Sequence, residues 1–190
     1  MNFQTVTLPR LKVLITEAQI QQRVKELGEQ ISQDYQGRQL HLVCILKGAC
    51  IFLADLIRHL PLEISMDFMA ISSYANSLHT SGEVKIIKDL DTSIQGRDVL
   101  IVEDILDTGL TIDYLARNLW ARRPNSLKVV VLLSKPARRI KLVDTAYVGF
   151  EIPNEFVVGY GLDYGEKYRN LPSISILQSG VKTPPCRIEN

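Results

Sequence analysis

Long apolar runs are missing from this chain. No stretch approaches the roughly 20 consecutive apolar residues that a membrane span needs. The opening, MNFQTVTLPRLKVLIT, also lacks the continuous apolar centre of a secretion signal. Cysteine is scarce: Cys44, Cys50 and Cys186 are the only three, and they form no C-x-x-C pair. Cys44 and Cys50 lie in apolar surroundings and read as small core residues, so a reducing cytoplasm fits better than a disulfide framework. An excess of one charge is missing too. Lys and Arg number 22 against 21 Asp and Glu, a net charge of +1, so nothing in the balance demands nucleic acid or an anionic membrane. The patterns G-x-x-x-x-G-K and G-x-G-x-x-G are absent, which argues against a P-loop kinase and a dinucleotide fold. No repeat, low-complexity tract or linker is visible.

What is present is a globular composition, 46% hydrophobic and 23% charged over 190 residues. That length suits one well-buried domain spanning residues 1–190 and is too short for two ordinary ones. Thr16 with Gln19 reads as a capping box, and Ile20, Val24, Leu27 and Ile31 follow at helical spacing until Gly37. Residues 40–46 (LHLVCIL) form an apolar run of the kind buried on both faces of a parallel sheet. A helix is expected over about 49–60, closed by Pro61. Further strands are expected over 62–71, 84–87, 99–102, 127–133, 147–150, 156–160 and 173–177. A third helix is expected over 112–122. Residues 72–82 (SSYANSLHTSG) are polar and small and read as a loop. Strands alternating with helices predict an α/β fold with a mostly parallel twisted sheet flanked by helices. Ligands in such sheets sit beyond the carboxyl ends of the strands. Lys47, Glu103 and Lys135 each follow a predicted strand and should converge on one edge.

The most informative segment is 99–111, VLIVEDILDTGLT. An aliphatic run ends in adjacent carboxylates, Glu103 and Asp104. Asp107 then opens the turn Asp107-Thr108-Gly109-Leu110-Thr111 before the third helix. Backbone N–H groups and hydroxyls at a helix start receive a phosphate, where the helix dipole favours an anion. The carboxylates suit sugar hydroxyls or an oxygen-liganded divalent cation. This pattern resembles the phosphoribosyl-pyrophosphate (PRPP) motif of the phosphoribosyltransferases.

Four more segments narrow the resemblance: LKGA at 46–49, SSYANS at 72–77, SKPARR at 134–139, and EFVVGYGLDYGEKYRNLP at 155–172. In order and spacing they are similar to the hypoxanthine–guanine phosphoribosyltransferases over nearly the whole chain. The resemblance implies the type I phosphoribosyltransferase fold, with a small hood formed by the C-terminal strands and the N-terminal segment. It implies transfer of ribose 5-phosphate from PRPP to N9 of hypoxanthine and guanine, giving IMP or GMP and pyrophosphate, with Mg²⁺ as cofactor. It also implies a homodimer or homotetramer, with no nucleic-acid or membrane partner.

Carried over residue by residue, the resemblance gives Glu103 and Asp104 the ribose hydroxyls and Mg²⁺. Asp107, Thr108, Gly109, Leu110 and Thr111 belong to the PRPP and phosphate site. Some relatives have lysine where this chain has Leu110, so a side-chain charge is lost but the backbone donor is kept. Lys47, Gly48 and Arg169 are expected at the pyrophosphate, with a cis peptide joining Leu46 and Lys47. Lys135, Phe156, Val157 and Asp163 are expected at the purine, and Asp163 also at the metal. Ser73 and Tyr74 would belong to a closing lid that excludes water from the reacting sugar. Asp107 is the candidate acid/base: a carboxylate that takes the purine N7 proton makes N9 the better nucleophile. Taken alone, Asp107 is also a good helix N-cap. Lys135 is donor-only, so it satisfies a 6-oxo group and opposes the 6-amino group of adenine.

Two other readings use the same residues. A regulator that kept the fold and binds RNA or DNA would draw on Arg122-Arg123 and Arg138-Arg139 with Lys141. A pyrimidine or adenine phosphoribosyltransferase would share the PRPP motif but lack the SKPARR and FVVGYGLDY segments.

Overall fold

The computed structural model describes residues 10–73 and 84–178. Thr16 starts helix α1 (Glu17–Asp34) with the expected capping box: its Oγ1 accepts from Gln19 N at 3.3 Å while Gln19 Oε1 accepts from Thr16 N at 2.9 Å. Ile20, Val24, Leu27 and Ile31 are all fully buried. Each such side chain contributes on the order of 1.5–3 kcal/mol. The chain then turns through Gly37, whose φ of 73° suits a residue without a Cβ.

The expected strands and helices follow. Strand β2 (Leu40–Leu46) leads to helix α2 (Cys50–Leu56), which tightens into a 3₁₀ turn at Ile57–His59. Strand β3 (Ile64–Ser73), β4 (Val84–Lys88) and β5 (Asp98–Leu106) precede helix α3 (Leu110–Trp120), and β6 (Ser126–Ser134) and β7 (Tyr147–Glu151) complete the sheet. The order is β4-β3-β2-β5-β6-β7, parallel throughout except for the antiparallel β3–β4 pair. Alternating side chains feed two cores. Leu42 and Cys44 of β2 with Leu100 and Val102 of β5 pack against α1 and α2, while Val43, Ile45, Val99 and Ile101 pack against α3.

A second, three-stranded antiparallel sheet is formed by β1 (Arg10–Ile15), β9 (Ile174–Gln178) and β8 (Val157–Val158), in the order β1-β9-β8. This is the hood of C-terminal strands and N-terminal segment. Among the described residues, no helix is long and apolar enough to cross a membrane.

Two boundaries differ from expectation. Strand β5 does not stop at Val102 but runs to Leu106, because its ladder with β6 continues through Glu103↔Val131 and Ile105↔Leu133. Glu103 therefore lies inside a strand, not after one, unlike Lys47 and Lys135. The strand expected over 156–160 shrinks to Val157–Val158, because Gly159, Tyr160 and Gly161 all take positive φ and turn the chain. The polar segment 72–82 begins as the end of β3, so Ser73 is a strand residue; Tyr74 and the rest of that segment lie outside the described residues.

Candidate active site

The register of β5 builds the site. Its pairing with β2 ends at Cys44↔Val102, while its pairing with β6 continues to Leu106↔Ser134. Beyond Val102, β5 is thus open on the β2 side, and the Lys47-Gly48 loop fills that notch. A Cβ on Gly48 would run into Asp104 Oδ2, so the absent side chain is what lets the carboxylate sit there. The peptide between Leu46 and Lys47 is cis.

The adjacent carboxylates are held out of their ordinary range. Burial pushes the Glu103 carboxyl well up, and the neighbouring Asp104 charge pushes it further. Its Oε2 is buried with no hydrogen-bond partner. Burial also raises Asp104, to about 6, against the pull of backbone N–H groups (including Ile105 N at 2.7 Å) and of Arg169. A buried and a half-buried carboxylate, the buried one with an unpartnered oxygen, fit a hard divalent cation, which would relieve both their repulsion and their desolvation. Asp163 does not complete a ready-made ligand set: its Oδ1 pairs with Arg169 at 2.8 Å and its Oδ2 accepts from Glu166 N at 2.8 Å. Among the described residues, no cluster of three or more His, Cys, Asp or Glu converges on a metal position.

The turn after β5 presents donors. Gly109 is the N-cap of α3 with a φ of 86° and has no side chain to cap the helix; Leu110 N makes only a long contact of 3.5 Å to Thr108 Oγ1, so the first N–H groups keep their capacity for an anion. A Cβ on Gly109 would collide with Lys141 O, because residues 140–141 fold over the turn and donate to Thr108 O at 2.9 and 3.0 Å. Asp107 is therefore not the N-cap. Its Oδ1 lies 2.9 Å from Arg138 Nε, an ion pair whose N–H is not aimed along a hydrogen bond.

Lys135 follows β6 directly and is buried, which lowers its pKa, while Asp107 acts in the opposite sense. Phe156 is not a core aromatic: it is 42% exposed and meets Tyr164 edge-on at 5.7 Å. Val157 is buried and pairs with Ile176 in the hood. Gly161 approaches the Gly48 carbonyl so closely that a Cβ would clash, which joins the 159–169 loop to the β2 loop. Across that junction Lys47 reaches Glu166, and Arg169 Nη1 donates to Gly161 O at 2.8 Å.

Arg138, Arg139 and Glu166 join the site without being among the residues expected there. The SKPARR segment contained the signal for the first two, but as sequence they read as part of a basic cluster. Arg139 donates to Asp107 O at 3.0 Å and to Ser134 Oγ at 2.9 Å, and Arg122 is held by Asp89 and Asn118. Arg122, Arg138 and Arg139 are thus engaged within the chain. A cavity of about 530 Å³ lies at the opposite ends of the strands, between Arg38, His41, Glu63 and Arg97. Arg38 pairs there with Asp98, Glu63 accepts from Gln39 Nε2 at 2.8 Å, and the lining contains none of the residues above.

A parallel sheet whose central strand carries paired carboxylates near its carboxyl end, a helix start without a side-chain N-cap beside them and an antiparallel hood point to a phosphoribosyltransferase. The profile of the Phosphoribosyl transferase domain matches residues 15–165. The hypoxanthine-guanine phosphoribosyltransferase of Bacillus subtilis is 54% identical over 170 residues, 90% of this chain and 94% of that one. The Mycobacterium tuberculosis protein of the same name is 54% identical over 175 residues, covering 89% and 87%. The crystal structure of a hypoxanthine-guanine phosphoribosyltransferase from Bacillus anthracis superposes with a TM-score of 0.85 at 46% identity, over 89% of this chain and 100% of that one. A Staphylococcus aureus hypoxanthine phosphoribosyltransferase gives 0.85 at 53% identity, over 88% and 91%. The chain belongs to the hypoxanthine-guanine phosphoribosyltransferase family.

Proposed function

We infer that this protein is a purine-salvage enzyme that moves the 5-phosphoribosyl group of PRPP to N9 of hypoxanthine or guanine, releasing pyrophosphate. The observation that carries the reading is the gathering of Lys47, the Glu103–Asp104 pair, the uncapped start of α3 and Lys135 at the carboxyl ends of β2, β5 and β6.

On this reading, backbone N–H groups of Thr108, Gly109, Leu110 and Thr111, with the two threonine hydroxyls, hold the 5-phosphate. Glu103 and Asp104 accept from the ribose hydroxyls. Lys47, the Gly48 backbone and Arg169 neutralise the departing pyrophosphate, whose negative charge grows as the C1–O bond breaks. Asp107 takes the N7 proton of the purine once Arg138 yields its carboxylate. Lys135 donates to O6, Phe156 stacks on the base and the Val157 backbone reads its edge. The hood leaves Phe156 exposed enough to serve as such a platform. Ser73 and Tyr74 are assigned to the lid.

Enzymes of this family work with a divalent metal. We assign Mg²⁺, held by Glu103 and Asp104, with Asp163 recruited after it leaves Arg169; the ion supplies positive charge for the leaving group. The assembly is proposed to be a cytoplasmic homodimer or homotetramer, which light scattering of the purified protein would resolve.

The deciding experiment measures kcat/KM for hypoxanthine, guanine, xanthine and adenine with PRPP and Mg²⁺. Hypoxanthine or guanine should dominate and adenine should be rejected. Turnover of adenine alone would overturn the reading.

A further inference from the structure

We propose that Glu166 is an internal competitor for the pyrophosphate site. Its carboxylate holds the two cations assigned to pyrophosphate, and an arriving or departing diphosphate must exchange with it. This rests on the reading of Lys47 and Arg169 given above.

The geometry is that of an anion bridging two cations. Glu166 Oε2 lies 3.0 Å from Lys47 Nζ and its Oε1 lies 3.1 Å from Arg169 Nη2. Lys47 belongs to the loop after β2 and Arg169 to the loop after β8, so one carboxylate, 119 residues from Lys47, ties the two loops together. Neighbouring oxygens of a diphosphate would ask the same two side chains for the same donors. Both cations cannot serve both anions fully at once.

The turn is shaped to keep the carboxylate there. Glu166 has a φ of 63°, a left-handed conformation unfavourable for a residue with a Cβ, and Tyr168 has a φ of 77°. Glu166 N donates to Asp163 Oδ2 at 2.8 Å, and Tyr164 and Lys167 bond to each other across the turn. A backbone outlier of this kind, held by its surroundings, points to a role at the site. The Lys47 and Glu166 side chains are 66% and 49% exposed, so their ion pair is screened and exchanges readily. The carboxylate therefore tunes affinity without blocking the site. It lowers affinity for PRPP and pyrophosphate alike, and it helps expel the product, a step that often limits turnover.

The test is calorimetric titration of magnesium pyrophosphate, and separately of PRPP with Mg²⁺, into the full chain and into Glu166→Gln. The variant should bind both about two- to twentyfold more tightly, as expected for releasing two exposed ion pairs. Pyrophosphate should also leave more slowly in a stopped-flow chase. Glu166→Gly, which suits the left-handed backbone, should show the same tightening and guards against a folding defect of the first variant. In a Lys47→Ala background the gain should shrink. Unchanged or weaker pyrophosphate binding in folded Glu166→Gln overturns the proposal and makes Glu166 a simple brace for Arg169. If Lys47→Ala and Arg169→Ala leave pyrophosphate binding intact, the assignment of those two residues fails first. If they weaken binding while Glu166→Gln does not tighten it, only the competition fails.

Discussion

The two halves of the site meet their ligands differently. At the start of α3, the donors proposed for a phosphate are backbone N–H groups that meet no side chain beyond a long Thr108 Oγ1 contact to Leu110 N, set by one short segment in which Gly109 supplies the left-handed turn. Under the hood, Lys47, Asp163, Glu166 and Arg169 are already paired with one another across two loops. The first half stands ready for an anion; the second is satisfied in its own company and must be rearranged. Preorganisation by backbone and neutralisation by mobile charges are thus kept apart within one pocket. On the proposed assignment, the phosphate that stays on the sugar would meet the first half, and the diphosphate that has to leave would meet the second.

The sharpest way to break this comparison is at Asp107, which sits between the halves. Asp107→Ala should lower kcat by about 10²- to 10⁴-fold while PRPP binding by calorimetry changes little. A parallel loss of binding would move Asp107 into the phosphate half. Next in size, Lys135→Ala should cost about 5- to 150-fold in kcat/KM for hypoxanthine, corresponding to roughly 1–3 kcal/mol for an unpaired oxo group. Unaltered oxopurine turnover would remove Lys135 from the base.

Gly109→Ala probes the rigid half directly. Its Cβ would meet Lys141 O at a φ of 86°, so chemical denaturation should show a loss of about 1–3 kcal/mol, with weaker phosphate binding. Asp104→Asn tests the charge held between the halves. Its folded-state pKa of about 6 is raised above the ordinary carboxylate range. The native state therefore binds more protons than the unfolded chain between about pH 4 and 6, and this group's contribution to stability falls as pH rises through that window. The variant should gain about 3 kcal/mol over the parent at pH 7.5 and nothing at pH 3.5, measured as unfolding free energy without metal. The smallest effect is expected for the exchangeable half: Lys47→Ala should change stability by less than about 1 kcal/mol. A larger loss would mean that this ion pair braces the fold as well as the ligand.

Much of this was legible along the chain because its signals are local. The capping box at Thr16 and Gln19 needs residues three apart. The apolar run Leu40–Leu46 reads as a buried strand without knowledge of its neighbours. The motif from Glu103 to Thr111 carries its own turn and helix start. The pairings were not legible. Arg138 and Arg139 looked like a solvated basic cluster, yet both face Asp107, more than 30 residues away. Phe156 looked like a strand aromatic, but Gly159, Tyr160 and Gly161 cut that strand short and leave the ring exposed. Strand β5 outran its aliphatic stretch because a ladder continues as long as the partner strand does, whatever the side chains.

The amino-acid order alone therefore determined the α/β architecture, the identity of the acidic pair and the phosphate turn, because these depend on periodicity and on contiguous chemistry. Only the tertiary structure decided which charges neutralise which: Glu166 between Lys47 and Arg169, and Arg138 against Asp107. Electrostatic partnership depends on distance in space, and the loops that bring these groups together are far apart along the chain.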